Sequence, residues 1–172
     1  KMAYGGLFDV VDGGFSRYSV DVRWHIPHFE KMLYDNAQLL QTYATAYKQT
    51  KNELYKKVCY KTFQFISENW IIKNGLVQSA FDADSIDDKN ILKEGAFYFW
   101  KKEELQEILK EDFTWFSELY NINDFGYWED DVYVFIQTQS IEQIAQQFNF
   151  SNEELMLKND FFLNKLKNHR NK

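Results

Sequence analysis

His28 and Asp35 stand seven positions apart in the run Pro27-His28-Phe29-Glu30-Lys31-Met32-Leu33-Tyr34-Asp35-Asn36-Ala37. On a helix that spacing places an imidazole and a carboxylate on one row, shared with Met32 and Leu39. Polar groups on an otherwise apolar face must be hydrogen-bonded there or must line a wet cavity. Burial raises an aspartate pKa and holds a histidine near neutrality, a combination suited to proton transfer. A structural tie between two packed layers meets the same constraint, and the spacing alone divides evenly between the two readings.

Asp82-Ala83-Asp84-Ser85, with Asp87 and Asp88 behind it, is the next concentration of carboxylates. An EF-hand loop fails here, because the fifth position is Ile86 and no glycine follows it. A solvated acidic loop is the plainer reading. Asp82 or Asp84 paired with Asp35 or Glu30 would suit glycoside chemistry, which needs two carboxyls about 5–5.5 Å apart for retention or about 6.5–9.5 Å for inversion. Arg17 and Asp21 form either an ion pair that ties down a loop or a grip on a hydroxyl-rich or anionic ligand. The pair is the preferred reading. Tyr18, Trp24, Phe97, Tyr98 and Trp100 offer flat faces for stacking a sugar ring, or else fill an aromatic core. Gly13-Gly14 carries no GxGxxG or GxxxxGK[ST] pattern, and His25, His28 and His169 lack the HExxH spacing. No cofactor is called for.

The elements that must position these groups are legible in the composition. A chain of 172 residues and 20.7 kDa fits one domain or a piece of one. With 45% hydrophobic residues and a net charge of −6, it is a globular sequence whose acidity argues against nucleic acid. No apolar run reaches the roughly 20 residues of a bilayer helix. The lone cysteine, Cys59, rules out an internal disulfide and a CxxC pair. One proline and seven glycines favour helices with short connections.

Residues 1–26, rich in glycine, aspartate and aromatics, read as a structured loop. Pro27 sits where a helix can start, and residues 28–47 carry two apolar rows. Phe29, Leu33, Ala37, Leu40, Ala44 and Tyr47 make one, and Met32, Leu39, Tyr43 and Ala46 the other. Two rows predict an inner helix packed on both sides. Residues 52–70 show a single stripe, Tyr55, Cys59, Phe63, Ile66 and Trp70, opposite Lys56, Lys57, Lys61 and Gln64. That predicts an outer helix, the two forming an αα-hairpin over 28–70. Residues 76–80 and 96–100 suggest a small β-hairpin around the acidic excursion. Helices are predicted over 101–110 and 112–120, then from capping signals at Ser140 and Ser151.

Three stretches together resemble a known family. They are Gly5-Gly6-Leu7-Phe8-Asp9, then Gly13-Gly14-Phe15-x-Arg17-Tyr18-Ser19-Val20-Asp21-x-x-Trp24, then the run from Pro27 to Ala37. Ser79 to Ser85, Glu94-Gly95-x-Phe97-Tyr98-x-Trp100 and Gly126-x-Trp128-Glu129 extend the match in order. The pattern resembles thioredoxin-domain-containing proteins related to spermatogenesis-associated protein 20. The loop between Ser85 and Glu94 is longer than the family pattern implies, and Tyr127 stands where Asn is expected.

The resemblance implies an N-terminal thioredoxin-like domain followed by an (α/α)6 toroid of the six-hairpin glycosidase type. Residues 1–172 would then be a single partial domain, the first portion of a mainly α toroid, with the thioredoxin-like domain and the rest of the ring as partners. An inner row left uncovered would make the isolated chain marginal or self-associating. The expected function is carbohydrate binding or processing, epimerase-like or glycosidase-like. His28, Asp35, Asp82 and Asp84 would be catalytic, and Arg17, Tyr18, Asp21, Trp24, Glu30 and Trp100 would hold the sugar. The competing expectation is a non-catalytic scaffold. A cytoplasmic setting is expected, and the 17 lysines against 3 arginines point to an AT-rich, bacterial genome.

Overall fold

A computed structural model describes residues 1–72, 74–87 and 89–171, so Asp88 lies outside the described residues. The fold is mainly helical with small antiparallel strand pairs. Its order is β1 (Tyr18–Ser19), β2 (Pro27–His28), β3 (Lys31–Met32), α1 (Leu33–Thr50), α2 (Glu53–Phe65), β4 (Ala80–Phe81), β5 (Asp84–Ile86) and β6 (Leu92–Glu94). Then come β7 (Trp100–Lys101), α3 (Lys102–Leu109), α4 (Phe113–Tyr120), β8 (Val132–Tyr133), α5 (Ile141–Gln147) and α6 (Asn152–Arg170).

Local chemistry sets several boundaries. Lys51 ends α1 in the left-handed region, and the Asn52 side chain accepts from Leu54 N to start α2. That two-residue connection makes the αα-hairpin. Ser140 and Gln143 complete a reciprocal capping box on α5, while Ser151 accepts from Glu154 N at 3.1 Å on α6. Glu153 and Glu154 in the first turn of α6, and Lys167, His169 and Arg170 in its last, complement the helix dipole. Leu155, Phe162, Leu163 and Leu166 form its buried face against α3, α4 and α5. A second cluster joins Leu7, Phe8 and Phe15 of the N-terminal loop to Val58 of α2, with Leu39 and Tyr43 packed on it.

Four expectations are corrected. The first helix begins at Leu33, because Lys31 and Met32 pair with Phe81 and Ala80 and Pro27-His28 pair with Ser19 and Tyr18. Tertiary strand pairing outweighs local helical period there. Residues 76–80 and 96–100 do not form a hairpin with each other. Trp100–Lys101 pairs with Val132 and Tyr133, and the hairpin is the acidic excursion itself, Asp84–Ile86 against Leu92–Glu94.

On α2 the buried face is Val58, Thr62 and Phe65, rotated from the predicted stripe and leaving Phe63 exposed. On α1, Leu39 and Tyr43 are half-buried as predicted, but Ala37 and Ala44 of the other row face solvent. No described helix is long and apolar enough to cross a membrane.

Candidate functional site

The β1–β2 pair builds the first half of a polar cluster. Its register sets Tyr18 opposite His28, with the two rings stacked at 5.0 Å between centroids. Arg17 donates its backbone N–H to Glu30 O at 2.9 Å, and its Nη1 reaches Glu30 Oε2 at 3.0 Å. That hydrogen bond, with the Tyr34 hydroxyl and the Glu30 charge behind it, raises the guanidinium pKa further.

The second half comes from the β5–β6 hairpin. His28 Nδ1 lies 2.8 Å from Glu94 Oε1, which also accepts from Phe29 N at 3.3 Å. A carboxylate at Nδ1 assigns the ring proton to that nitrogen. The other ring nitrogen, Nε2, faces Glu30, whose Oε2 is 3.9 Å away. The backbone of Gly95 (φ +74) brings Glu94 into place, and a Cβ there would meet the Phe29 ring at 2.5 Å.

Asp35 sits in the first turn of α1. Its Oδ2 is shielded from solvent and has no hydrogen-bond partner among the described residues. Burial pushes its pKa up, the Arg17 charge pulls it back, and the Glu30 charge pushes it up again. The arrangement provides an imidazole held by one carboxylate and facing another, with an aspartate of raised pKa within reach of the Arg17 and Glu30 charges. That is a set of groups able to move a proton.

The structure thus gathers Arg17, Tyr18, His28, Glu30 and Asp35, and disperses the other predicted site residues. Arg17 pairs with Glu30, so the expected Arg17–Asp21 pair is absent. Asp21 accepts from the backbone N–H groups of Arg23, His25 and Ile26 at 2.8, 3.1 and 3.0 Å. Burial alone would raise its pKa, but those N–H groups hold it below the ordinary value.

Trp24 has φ 66 and is a loop residue whose carbonyl accepts from Gly6 N. Trp100 is 2% exposed and stacks on Phe135, so it presents no face to a ligand. Asp82 closes a turn by accepting from Asp84 N at 3.0 Å, and Asp84 lies in β5 opposite Glu94. Among the described residues no hydrogen bond joins either to Asp35 or Glu30. Nor does any group of three or more His, Cys, Asp or Glu side chains there form a metal-binding cluster.

No family model matches the chain. It is 44% identical to human spermatogenesis-associated protein 20 over 111 residues, which is 64% of this chain. The mouse protein of that name is 43% identical over 118 residues, and an uncharacterised Caenorhabditis elegans protein is 45% identical over 113. The chain is a homologue of spermatogenesis-associated protein 20. It spans about a seventh of the length of these relatives, 14% of the human protein and 15% of the mouse one. The matched proteins are animal proteins, so none of them supports a bacterial source.

Two features of the site and its surroundings are not legible in the sequence. Glu94, the carboxylate on His28, stands in one of the stretches that carry the resemblance but belongs to no chemical motif. Lys31 and Arg170 are buried cations, one in the run from Pro27 to Ala37 and the other at the end of α6. Lys31 Nζ lies 3.1 Å from Asp9 Oδ2 and 2.8 Å from Gly13 O, over the Phe65 and Tyr98 rings. Arg170 is enclosed by Phe97, Tyr98 and Trp100, the rings expected to stack a sugar.

Proposed function

We propose that the chain is the first portion of an α/α toroid, and that its Arg17–His28–Glu30–Asp35–Glu94 cluster binds and processes a carbohydrate. The observation that carries this is the pairing of His28 with Glu94, joined through the Arg17 and Glu30 charges to Asp35, whose Oδ2 has no hydrogen-bond partner among the described residues. A buried, unpaired carboxylate oxygen costs stability, and opening of the cluster to a ligand hydroxyl that donates to it would remove that cost. Tyr18 stacked on His28 gives an aromatic surface at the same place, and Arg17 supplies directed donors.

In this reading Asp35 is the acid, with His28 and Glu30 as the proton-accepting side. Proton abstraction next to a sugar carbonyl, as in an epimerase, uses this pairing most directly. Hydrolysis would require Asp82 or Asp84 to approach as the second carboxylate. The sugar assignment rests on analogy with toroid folds. The remainder of the ring and a thioredoxin-like domain would complete the full-length protein, in a cytoplasmic setting. The solvent-facing Ala37 and Ala44 row of α1 supports a further layer over that helix.

A scaffold reading is favoured by a different observation, the tie that Glu94 makes to both His28 and the Phe29 backbone. Asp35→Asn in the full-length protein separates the two. Unchanged melting with loss of sugar binding or turnover supports the enzyme. A large drop in melting temperature with no sugar effect in either protein supports the scaffold.

A further inference from the structure

Away from the His28 cluster, a cleft of about 640 Å³ opens between α2, the start of α6 and the N-terminal loop. Ala3, Phe8, Val10, Leu54, Val58 and Leu163 give it mainly apolar walls. Lys61 is among its lining residues, although the α2 sequence places this lysine on a solvated face. Its Nζ donates to Val10 O at 2.6 Å, and among the described residues no carboxylate lies within ion-pair distance of it. The other two lysines lining the cleft are paired, Lys56 with Glu53 at 3.1 Å and Lys57 with Asp160 at 2.8 Å.

We propose that Lys61 is a nucleophilic amine that captures small apolar aldehydes or ketones in this cleft as an imine. A neutral amine that donates one N–H to Val10 O keeps a second N–H and a lone pair. The lone pair forms the C–N bond to the carbonyl carbon. The carbonyl oxygen takes up both amine hydrogens and leaves as water, and the C=N bond remains. No oxidant or reductant enters the step. Burial, with the Lys57 charge nearby, pushes the Lys61 pKa down to about 8, against the pull of Asp9, Asp160 and Asp12. At neutral pH an amine near that value is uncharged on the order of a hundred times more often than an ordinary lysine. The walls then select for a carbonyl compound with an apolar body, since a charged one would lose its hydration there.

The competing role is a purely structural bond to Val10 O, and reductive trapping distinguishes the two. The intact protein is treated at pH 7 with butyraldehyde and sodium cyanoborohydride at low conversion, and the alkylated lysines are mapped by peptide mass spectrometry. Lys61 is expected to be alkylated about tenfold faster than the exposed Lys48 and Lys110. Its rate should saturate with butyraldehyde, and Lys61→Arg should lose only that label. Alkylation of Lys61 no faster than Lys48 and Lys110 overturns the proposal, as does a rate that stays linear in aldehyde.

Discussion

Arg170 Nη1 lies 2.7 Å from Asp9 Oδ2, joining the end of the last helix to the N-terminal loop across 161 residues of chain. The same carboxylate oxygen takes Lys31 Nζ at 3.1 Å, so one buried anion holds two buried cations. Beside them Lys167 bridges Asp12 and Glu68 at 2.6 and 2.7 Å. Burial would raise the Asp9 pKa, but the Arg170 and Lys31 charges hold it well below the usual carboxylate range.

Asp9→Asn therefore leaves Lys31 and Arg170 buried without their counter-charge. Breaking a buried ion pair from one side costs about 3–5 kcal/mol. Urea denaturation should show a loss of that size, and a loss under 1 kcal/mol would contradict the assignment. The pH dependence has a definite sign. Since the folded pKa lies below the ordinary 3.8, this stabilisation is present above pH 3.8 and is lost as pH falls below it.

How much of this was legible follows from which partners lie close in sequence. Helices α3 to α6 are readable because period and capping are local: Ser140 completes the capping box its spacing predicts, and Ser151 forms the side-chain half of one. The segment from His28 to Met32 was not, since its conformation is set by strands near residues 18 and 80. The sequence pattern puts Lys61 on a solvated face, because nothing local announces the Val10 carbonyl, 51 positions away, that receives it. Of the predicted site, the residues in and beside one strand pair and helix start came together. Those on separate loops did not.

His25 provides a pH test. Its Nε2 meets Val134 O at 2.9 Å and its Nδ1 meets Arg23 Nη2 at 3.3 Å, which fits a neutral ring with its proton on Nε2. Burial, reinforced by the Arg23 charge, pushes its pKa below the ordinary 6.5 despite the Val134 carbonyl. The unfolded chain takes up the proton near pH 6.5 and the folded one resists it, so this contribution to stability is lost as pH falls through 6.5. An NMR titration should show the His25 ring still neutral below pH 6.5. A midpoint at or above 6.5 would refute this.

Gly13 marks where the N-terminal loop touches α2. Its φ is +90, and a Cβ would lie 2.3 Å from the Lys61 carbonyl oxygen, which is helix backbone and cannot turn aside. Gly13→Ala should cost roughly 2–4 kcal/mol, from strain and steric overlap together. Thermal unfolding of the variant checks it, and a melting temperature equal to wild type would mean the contact is looser than described.

In the proposed function Asp35 belongs to a sugar site with His28 and Glu30. The most direct measurement is ligand-observed NMR of the full-length protein against a panel of free sugars, beside Asp35→Asn. Binding or epimer exchange is expected for the wild type and none for a variant of equal melting temperature. Silence across the panel from a well-folded wild type, or equal signals from both proteins, would contradict it.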